Sequence, residues 1–525
     1  MSRTRLAVPV LVAAAALVLS ACGGTSSGNQ STGPNTDQLV IDTTFDIKSI
    51  DPARDFEPTG DIVVKAMYDT LLTFADTDTT TVVPDLATYT SNTDQTEFTL
   101  TLVDGRVFSD GTPVTADDVV FSLQRLIGVA GNPSFLLDGV TVTKVDDKTV
   151  QLTTDAPEPA LPSILASPPT GIVNSKVVQA NGGTTDSSDG AENYLNSASA
   201  GSGPYMLQSM DITSQVTLVK NPDYTGPRTP TYNTIILRNV PAATQQMNLE
   251  RGDSQIAMSL SGDQIGSLAS NIKVESVPSA TTIYLMANAD PSVNAYTSKP
   301  QCLRAIREAI DYASLVDLAG AGAVQATGLV PIGFLGALPA SDAPVFNLDA
   351  AKADATACGM AGQPITLSYP NDIDPTGVSL TNLAQRIQQQ MQTAGITINL
   401  APVPVATELD NYRAGKEEMG LWYWNPDYLD PADYFVFAPG GSVALRANWQ
   451  ANADSAITAL TEQITTTGDE TTRQDLFEQW GRAMNTDSPF IPLIQPGLNV
   501  AHQPSVTNIY YNPLWFLDVA GIGAA

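Results

Sequence analysis

The stretch FSDGTPVTADDVVFSLQRL, Phe108–Leu126, passes from a turn directly into an amphipathic helix. Gly111 and Pro113 interrupt any regular run, as turn residues do. Thr115 stands where a helix N-cap belongs, and Asp118 supplies the acid of a capping box. Asp117 and Asp118 favour the positive end of the helix dipole. Val119, Val120 and Leu123 recur at helical spacing, which predicts a helix over 117–126 with an apolar inner face. Asp110, Asp117 and Asp118 are thus read as turn and cap residues rather than as a metal site.

Around this helix, short apolar or alternating runs bounded by turn residues predict strands at Leu39–Phe45, Glu97–Leu102, Val140–Val145, Thr149–Leu152, Gln215–Val219 and Ile235–Val240. Helical spacing is heavier later. Leu303, Ile306, Ile310 and Leu315 recur on one side, with Arg307 and Asp311 spaced to pair at i, i+4 on the other. Leu380, Leu383, Ile387 and Met391 repeat the pattern; Gly395 stops that helix, and Ile396, Ile398 and Leu400 alternate as a strand. Helical patterns at Asp454–Thr465 and Thr471–Met484 precede an apolar end at Pro489–Ile494. Strands and helices mixed without strict alternation predict α/β lobes with mixed sheets. Asn181–Asn196 is a polar loop or insertion, and no long linker separates domains. Lobes connected by several crossings suit a hinge.

The chain has 525 residues, with 25 Lys plus Arg against 55 Asp plus Glu, a formal charge of −30, one His and three Cys. Such acidity repels phosphate backbones, so nucleic acid is excluded as a partner. The length allows two or three domains, each with its own core. A single histidine argues against His-based triads, His-ligated zinc and nickel held by protein histidines. No catalytic residues, metal site or cofactor are expected.

Arg3 and Arg5 precede an apolar stretch of 14 residues, Leu6–Leu19, which is the length of a signal-peptide core and too short to span a bilayer. Leu19-Ser20-Ala21-Cys22 resembles the bacterial lipoprotein box, which implies cleavage before Cys22 and lipidation of its sulfur. Residues 1–21 are then a signal peptide, and 22–37, rich in Gly, Ser, Thr and Asn, a flexible lipidated tether. No later stretch is apolar for long enough to span a membrane. In an oxidising compartment Cys302 and Cys358 could form a disulfide or remain as two buried thiols; their Cα separation decides.

The helix-and-turn stretch of Phe108–Leu126 resembles the signature of the family 5 solute-binding lipoproteins of ABC importers, the peptide, dipeptide and nickel binding group. Further segments fall in that family's order: SIDPA at Ser49–Ala53, AMYDTLLTF at Ala66–Phe74, VPDLA at Val83–Ala87, GSGPYML at Gly201–Leu207, NPDYTG at Asn221–Gly226, LRAIREAIDY at Leu303–Tyr312 and LWYWNPDYLDPADYF at Leu421–Phe435. Thr225 departs from the family's usual Trp. The ordered set, from about residue 39 to the end, carries the resemblance.

The resemblance implies an α/β, two-lobed periplasmic-binding-protein-like clamshell with mixed sheets and a ligand held between lobes. By that match 38–57, 203–282 and 488–525 form the first lobe, 58–202 an extra subdomain of it, and 283–487 the second lobe. The Trp-rich loop supplies the site. In peptide-binding members the carboxylate three residues after the loop's Trp receives the ligand's α-ammonium, which carries that role to Trp424 and Asp427. Trp422, Tyr423, Asn425 and Tyr428 are the accompanying ligand residues. Aromatic surroundings lower the local dielectric and strengthen a charge-assisted contact. Asp430, before Pro431, reads as structural. Dipeptide binders use an Arg near the position of Thr381; none stands there, and Arg386 lies further into the helix. This favours oligopeptides.

The implied function is capture of peptides outside the cytoplasm by a lipid-anchored monomer, which delivers them to an ABC permease driven by cytoplasmic ATPases. Alternatives are a non-peptide solute, such as an oligosaccharide or a metal chelate, in the same architecture, or a secreted hydrolase using Asp427 and Asp430.

Overall fold

A computed structural model describes residues 36–525, so the signal peptide, Cys22 and nearly all of the tether lie outside the described residues. Three sheets organise the chain. The first-lobe sheet has seven strands, in the spatial order Lys273–Pro278, Gly497–His502, Ile256–Ala257, Gln38–Thr43, Thr234–Asn239, Gln215–Lys220 and Tyr205–Asp211. The strand Gln38–Thr43 runs parallel to both of its neighbours, while the flanking pairs are antiparallel. Leu39, Ile41, Val216, Leu218, Ile235 and Leu237 point into one core with the helix Pro58–Met67. On the opposite face Ala257 and Ala501 pack with Leu249, Leu260 and Ile272.

The second-lobe sheet has six strands, Val324–Gln325, Phe490–Gln495, Thr282–Ala287, Met419–Trp424, Pro364–Pro370 and Thr397–Val403. Its central strands are buried along their whole length, so helices must cover both faces. Leu285, Leu367, Ile398 and Leu421 meet Ile306, Leu383 and Ile387 on one side. Tyr284, Met286, Trp422 and Phe490 meet Ile457, Phe477 and Trp480 on the other. A smaller four-stranded sheet over 87–154 packs Phe98, Leu100, Val150 and Leu152 against Val119, Leu123 and Leu126 of the helix Ala116–Val129.

The capping box read from Thr115 and Asp118 is formed, and the helix runs to Val129, beyond the expected Leu126, before Ala130 turns left-handed at φ 53°. The pattern from Leu303 to Leu315 divides into two helices, Pro300–Ala309 and Tyr312–Ala319. Asp311 breaks it by capping Ser314 N at 3.3 Å, so the i, i+4 pair with Arg307 does not form. Arg307 instead donates to the carbonyl oxygens of Thr486, at 2.7 Å, and of Ser488.

Two expected boundaries shift. Phe490–Gln495 pairs with Thr282–Ala287 in the second lobe, so the chain returns to the first lobe at Pro496 rather than 488. Helix Pro58–Met67 buries Ile62, Val63, Val64 and Met67 in the first-lobe core, so the subdomain begins after it rather than at 58.

The ordered motifs are held together by buried charge. Arg125 makes a bidentate contact to Asp51 of SIDPA, 2.6 Å for each bond, and reaches Asp189 at 2.9 and 2.8 Å. Asp189 belongs to the polar stretch 181–196, which is thereby tied into the interior. Arg106 links Asp69 at 2.6 Å to Asp85 at 3.2 Å, and Arg228 meets Asp69 at 2.8 Å. Gly201 lies so close to the helix end that a Cβ there would sit 2.1 Å from the Met67 carbonyl oxygen. That approach explains the glycine of the GSGPYML turn.

Cys302 and Cys358 form a disulfide, with Cα atoms 5.6 Å apart, tying the helix Pro300–Ala309 to the end of Leu348–Ala357 across a sequence separation of 56. A bridge closing a loop of that length restricts the unfolded chain by about 3–4 kcal/mol. Replacing both cysteines by serine is expected to lower second-lobe stability by that order in urea unfolding followed by circular dichroism. A loss under about 1 kcal/mol would show that the bridge adds little to the packed helices.

Candidate functional site

The strand Met419–Trp424 sends alternate side chains to opposite faces, as a pleat requires. Trp422 and Trp424 fall on the face packed by Phe437 and its neighbours. Trp422 is 4% exposed, stacks on Tyr412 with ring centroids 4.3 Å apart, and donates from Nε1 to Glu417 Oε2 at 2.9 Å. Burial, then the adjoining Glu408, lifts the Glu417 carboxyl to about 10, so it is protonated at neutral pH. Trp422 is therefore a core residue, and its expected ligand contact is replaced by this packing. Tyr423 takes the opposite face and reaches the interlobe cleft.

After the strand the loop turns through Asn425, Pro426 and Asp427, all lining a cavity of about 210 Å³. The opposite wall brings Phe56, Pro58 and Asp61, with Ser167, Pro168 and Phe516 between. A neighbouring cavity of about 270 Å³ shares Pro58, Asn425 and Phe516 and adds Tyr423, Thr281 and Thr376. A third, about 660 Å³, continues past Thr376 to Asp374, Ser259 and Gln264. Together they form one cleft walled by both lobes. Thr281 bridges its floor by donating to Asn425 Oδ1 at 2.6 Å, with Thr376 Oγ1 at 3.1 Å. Among the described residues no Lys, Arg or His lines the three cavities, whereas Asp46, Asp61, Asp374 and Asp427 do.

The three loop carboxylates have separate roles. Asp430 is held bidentately by Arg473 at 2.6 Å per bond and caps Ala432 N at 2.8 Å. It cannot act as a free partner to Asp427, which removes the two-carboxylate arrangement considered for a hydrolase. Asp433 is buried, accepts from Trp424 Nε1 at 2.9 Å and from Asp427 N at 3.3 Å, and so fixes the loop from inside. Trp424 is thus a support, half-buried against Phe437 and absent from the cavity walls. Tyr428 points to the subdomain core and is likewise absent from those walls.

Asp427 remains. Among the described residues its carboxylate has no ion pair or hydrogen bond, and burial raises it to about 6. A carboxylate held without a partner in a wall of prolines and aromatics is poised for a cation. Opposite it, burial and then Asp46 and Glu57 raise Asp61 well above the ordinary carboxylate range. Sequence reading missed Asp61, whose only signal was an acid in the first turn of a helix opened by Pro58. No group of three or more His, Cys, Asp or Glu among the described residues is placed to hold a metal ion. His502 lies in the first-lobe sheet, with Nδ1 3.0 Å from the Gln503 carbonyl oxygen.

Residues 81–443 match the family model described as bacterial extracellular solute-binding proteins, family 5. The chain belongs to that family. Its members bind solutes for ABC importers, as the ordered motifs imply. This family 5 protein is 29% identical, over 91% of its own chain and 92% of the relative, to a probable D,D-dipeptide-binding periplasmic protein of Escherichia coli K12. It is 25% identical to di/tripeptide-binding protein 4 of Pseudomonas aeruginosa, covering 87% of this chain and 89% of that one. Its two-lobed fold matches that of the ABC transporter substrate-binding protein CtaP of Listeria monocytogenes, with a TM-score of 0.79 and 20% identity over 93% of this chain and 99% of that structure. No described helix is long and apolar enough to cross a membrane.

Proposed function

We propose that this family 5 protein captures peptides, in particular oligopeptides, in the cleft between its lobes and presents them to the permease of an ABC importer. The observation that carries this reading is Asp427, an unpartnered carboxylate in an apolar-walled cavity, placed to receive an α-ammonium group. The dipeptide and di/tripeptide names of its relatives support peptides as the class. The walls support a longer ligand. With no basic side chain among the described residues lining the cleft, a peptide carboxylate has no fixed charged partner there, and the cavities continue past Thr376 to give a longer chain room. Hinge closure buries the ligand and changes the outer surface that a permease reads. The protein works as a monomer tethered through a lipid on Cys22.

Calorimetric titration of a free-amino tetrapeptide and its N-acetylated form tests the anchor. Acetylation is expected to weaken binding by about 30-fold or more, and equal affinity for both peptides contradicts the assignment. The pH dependence has a definite sign. Peptide ammonium binds the deprotonated carboxylate, and Asp427 titrates at about 6 in the free protein. Affinity is therefore full near pH 7 and falls as pH drops through about 6, approaching tenfold per unit below it. It also declines above about pH 8, where the peptide's own amine loses its proton. A flat profile from pH 5 to 7 would show that another group holds the ammonium.

A further inference from the structure

Asp427 accounts for one positive charge on the ligand, and the facing wall holds carboxylates that it does not explain. Asp61, on the helix Pro58–Met67, lines the same cavity, and its Oδ1 has no hydrogen-bond partner. Beneath it lies Asp55, fully buried, with both carboxylate oxygens unpartnered. The helix packs so closely over Asp55 that a Cβ on Gly60, the residue before Asp61, would sit 2.0 Å from Asp55 Oδ1. The other two carboxylates of this cluster are partnered. Asp46 accepts from the backbone N–H of Thr59 at 3.1 Å and from its hydroxyl, and Glu57 is bound by Lys48 at 2.5 Å. The carboxylates without partners are thus the one on the cavity wall and the one directly behind it.

Buried carboxylates without donors are costly unless a cation or a proton joins them. A metal is a poor match, because no metal-ligating group is gathered among the described residues. An organic cation on an aliphatic stem fits better. Phe56, Pro58, Leu514 and Phe516 flank Asp61 and offer apolar surface to a methylene chain whose charged end reaches the acid.

We propose that Asp61, backed by Asp55, forms a second cation subsite that selects peptides whose first residue is lysine or arginine. The α-ammonium meets Asp427 on the second lobe and the side-chain cation meets Asp61 on the first, so a single ligand residue ties the lobes together. The proposal rests on the peptide-binding reading and names the specificity of the same site.

The test uses the full chain and two tripeptides, Lys-Ala-Ala and norleucine-Ala-Ala, which share a stem of the same length and differ in the terminal charge. Calorimetry is expected to give a preference for the lysine peptide of about tenfold or more at pH 7.5. Asp61→Asn is expected to bring the two peptides within about threefold of each other. Binding of both with equal affinity by the native protein overturns the second subsite and leaves the Asp427 anchor standing. A preference that survives Asp61→Asn overturns the assignment to Asp61. Failure of both peptides to bind overturns the underlying peptide reading and the subsite with it, and binding insensitive to N-acetylation overturns the Asp427 anchor on which the two-point contact depends. The native ratio decides the proposal even if the variant folds poorly.

Discussion

Asp427→Asn is expected to weaken binding of a free-amino peptide by about 30-fold or more, because removing one member of a desolvated charge pair costs about 2–5 kcal/mol. The substitution keeps the shape of the side chain and the backbone N–H that reaches Asp433 at 3.3 Å, so the loop retains its support. It removes only the negative charge in the cavity shared with Asn425 and Pro426. A double-mutant cycle makes the result specific. The N-acetylated peptide has no cation to lose, so its weak affinity should be the same for both proteins. Equal loss for both peptides would point to a distorted loop. No loss for either would show that Asp427 is only a turn residue. Asp433→Asn provides a contrast, since Asp433 accepts the Trp424 indole N–H at 2.9 Å and faces away from the ligand. Its effect should appear in loop order, seen as Trp fluorescence in the free protein.

Arg125→Met has the largest expected effect on stability. The guanidinium holds Asp51 through two bonds of 2.6 Å and Asp189 through bonds of 2.9 and 2.8 Å, with all three side chains at most 1% exposed. Methionine fills much of the space and leaves the two buried carboxylates with the backbone N–H groups of Ala53 and Thr184, at 3.1 and 3.0 Å, and with Arg54, which meets them at 3.1 and 3.0 Å from a more exposed position. Breaking a buried pair by deleting one partner costs about 3–5 kcal/mol. Equilibrium unfolding should show that loss, and hydrogen exchange should show early opening of residues 181–196, which Asp189 pins to the interior. A loss below about 1 kcal/mol, within the range of a solvent-exposed pair, would mean that Arg54 and water replace the contact. Peptide affinity at temperatures where the variant is folded should be little changed, since Arg125 lies outside the cleft walls.

Much of the fold was legible because periodicity is local. The strand Glu97–Leu102 falls where its alternation places it, and the helix Ala116–Val129 starts at the cap read from Thr115. The Leu303–Leu315 pattern misled because Asp311 satisfies spacing rules for two roles. It could pair with Arg307 or cap a second helix, and only the carbonyls of Thr486 and Ser488, brought in by another element, draw Arg307 away. The aromatic loop was readable as a site but not residue by residue. Trp422, Tyr423 and Trp424 are equivalent as a string, and the face each takes depends on which side of the sheet the helix layer leaves open.

From sequence alone came the capped helix and, through the ordered motifs, the two-lobed α/β class, the order of its segments and the expectation that Asp427 is the anchor, because each rests on neighbours within one turn, one strand or one motif. Tertiary structure alone decided that Asp430 belongs to Arg473, that Asp51 and Asp189 share Arg125, and that Asp61 faces Asp427 across the cleft. Those pairings join residues far apart in the chain, and no periodicity records them. The last of them is set where the chain crosses between lobes, at 278–282 and at Pro496, bringing one carboxylate from each lobe to the same small volume.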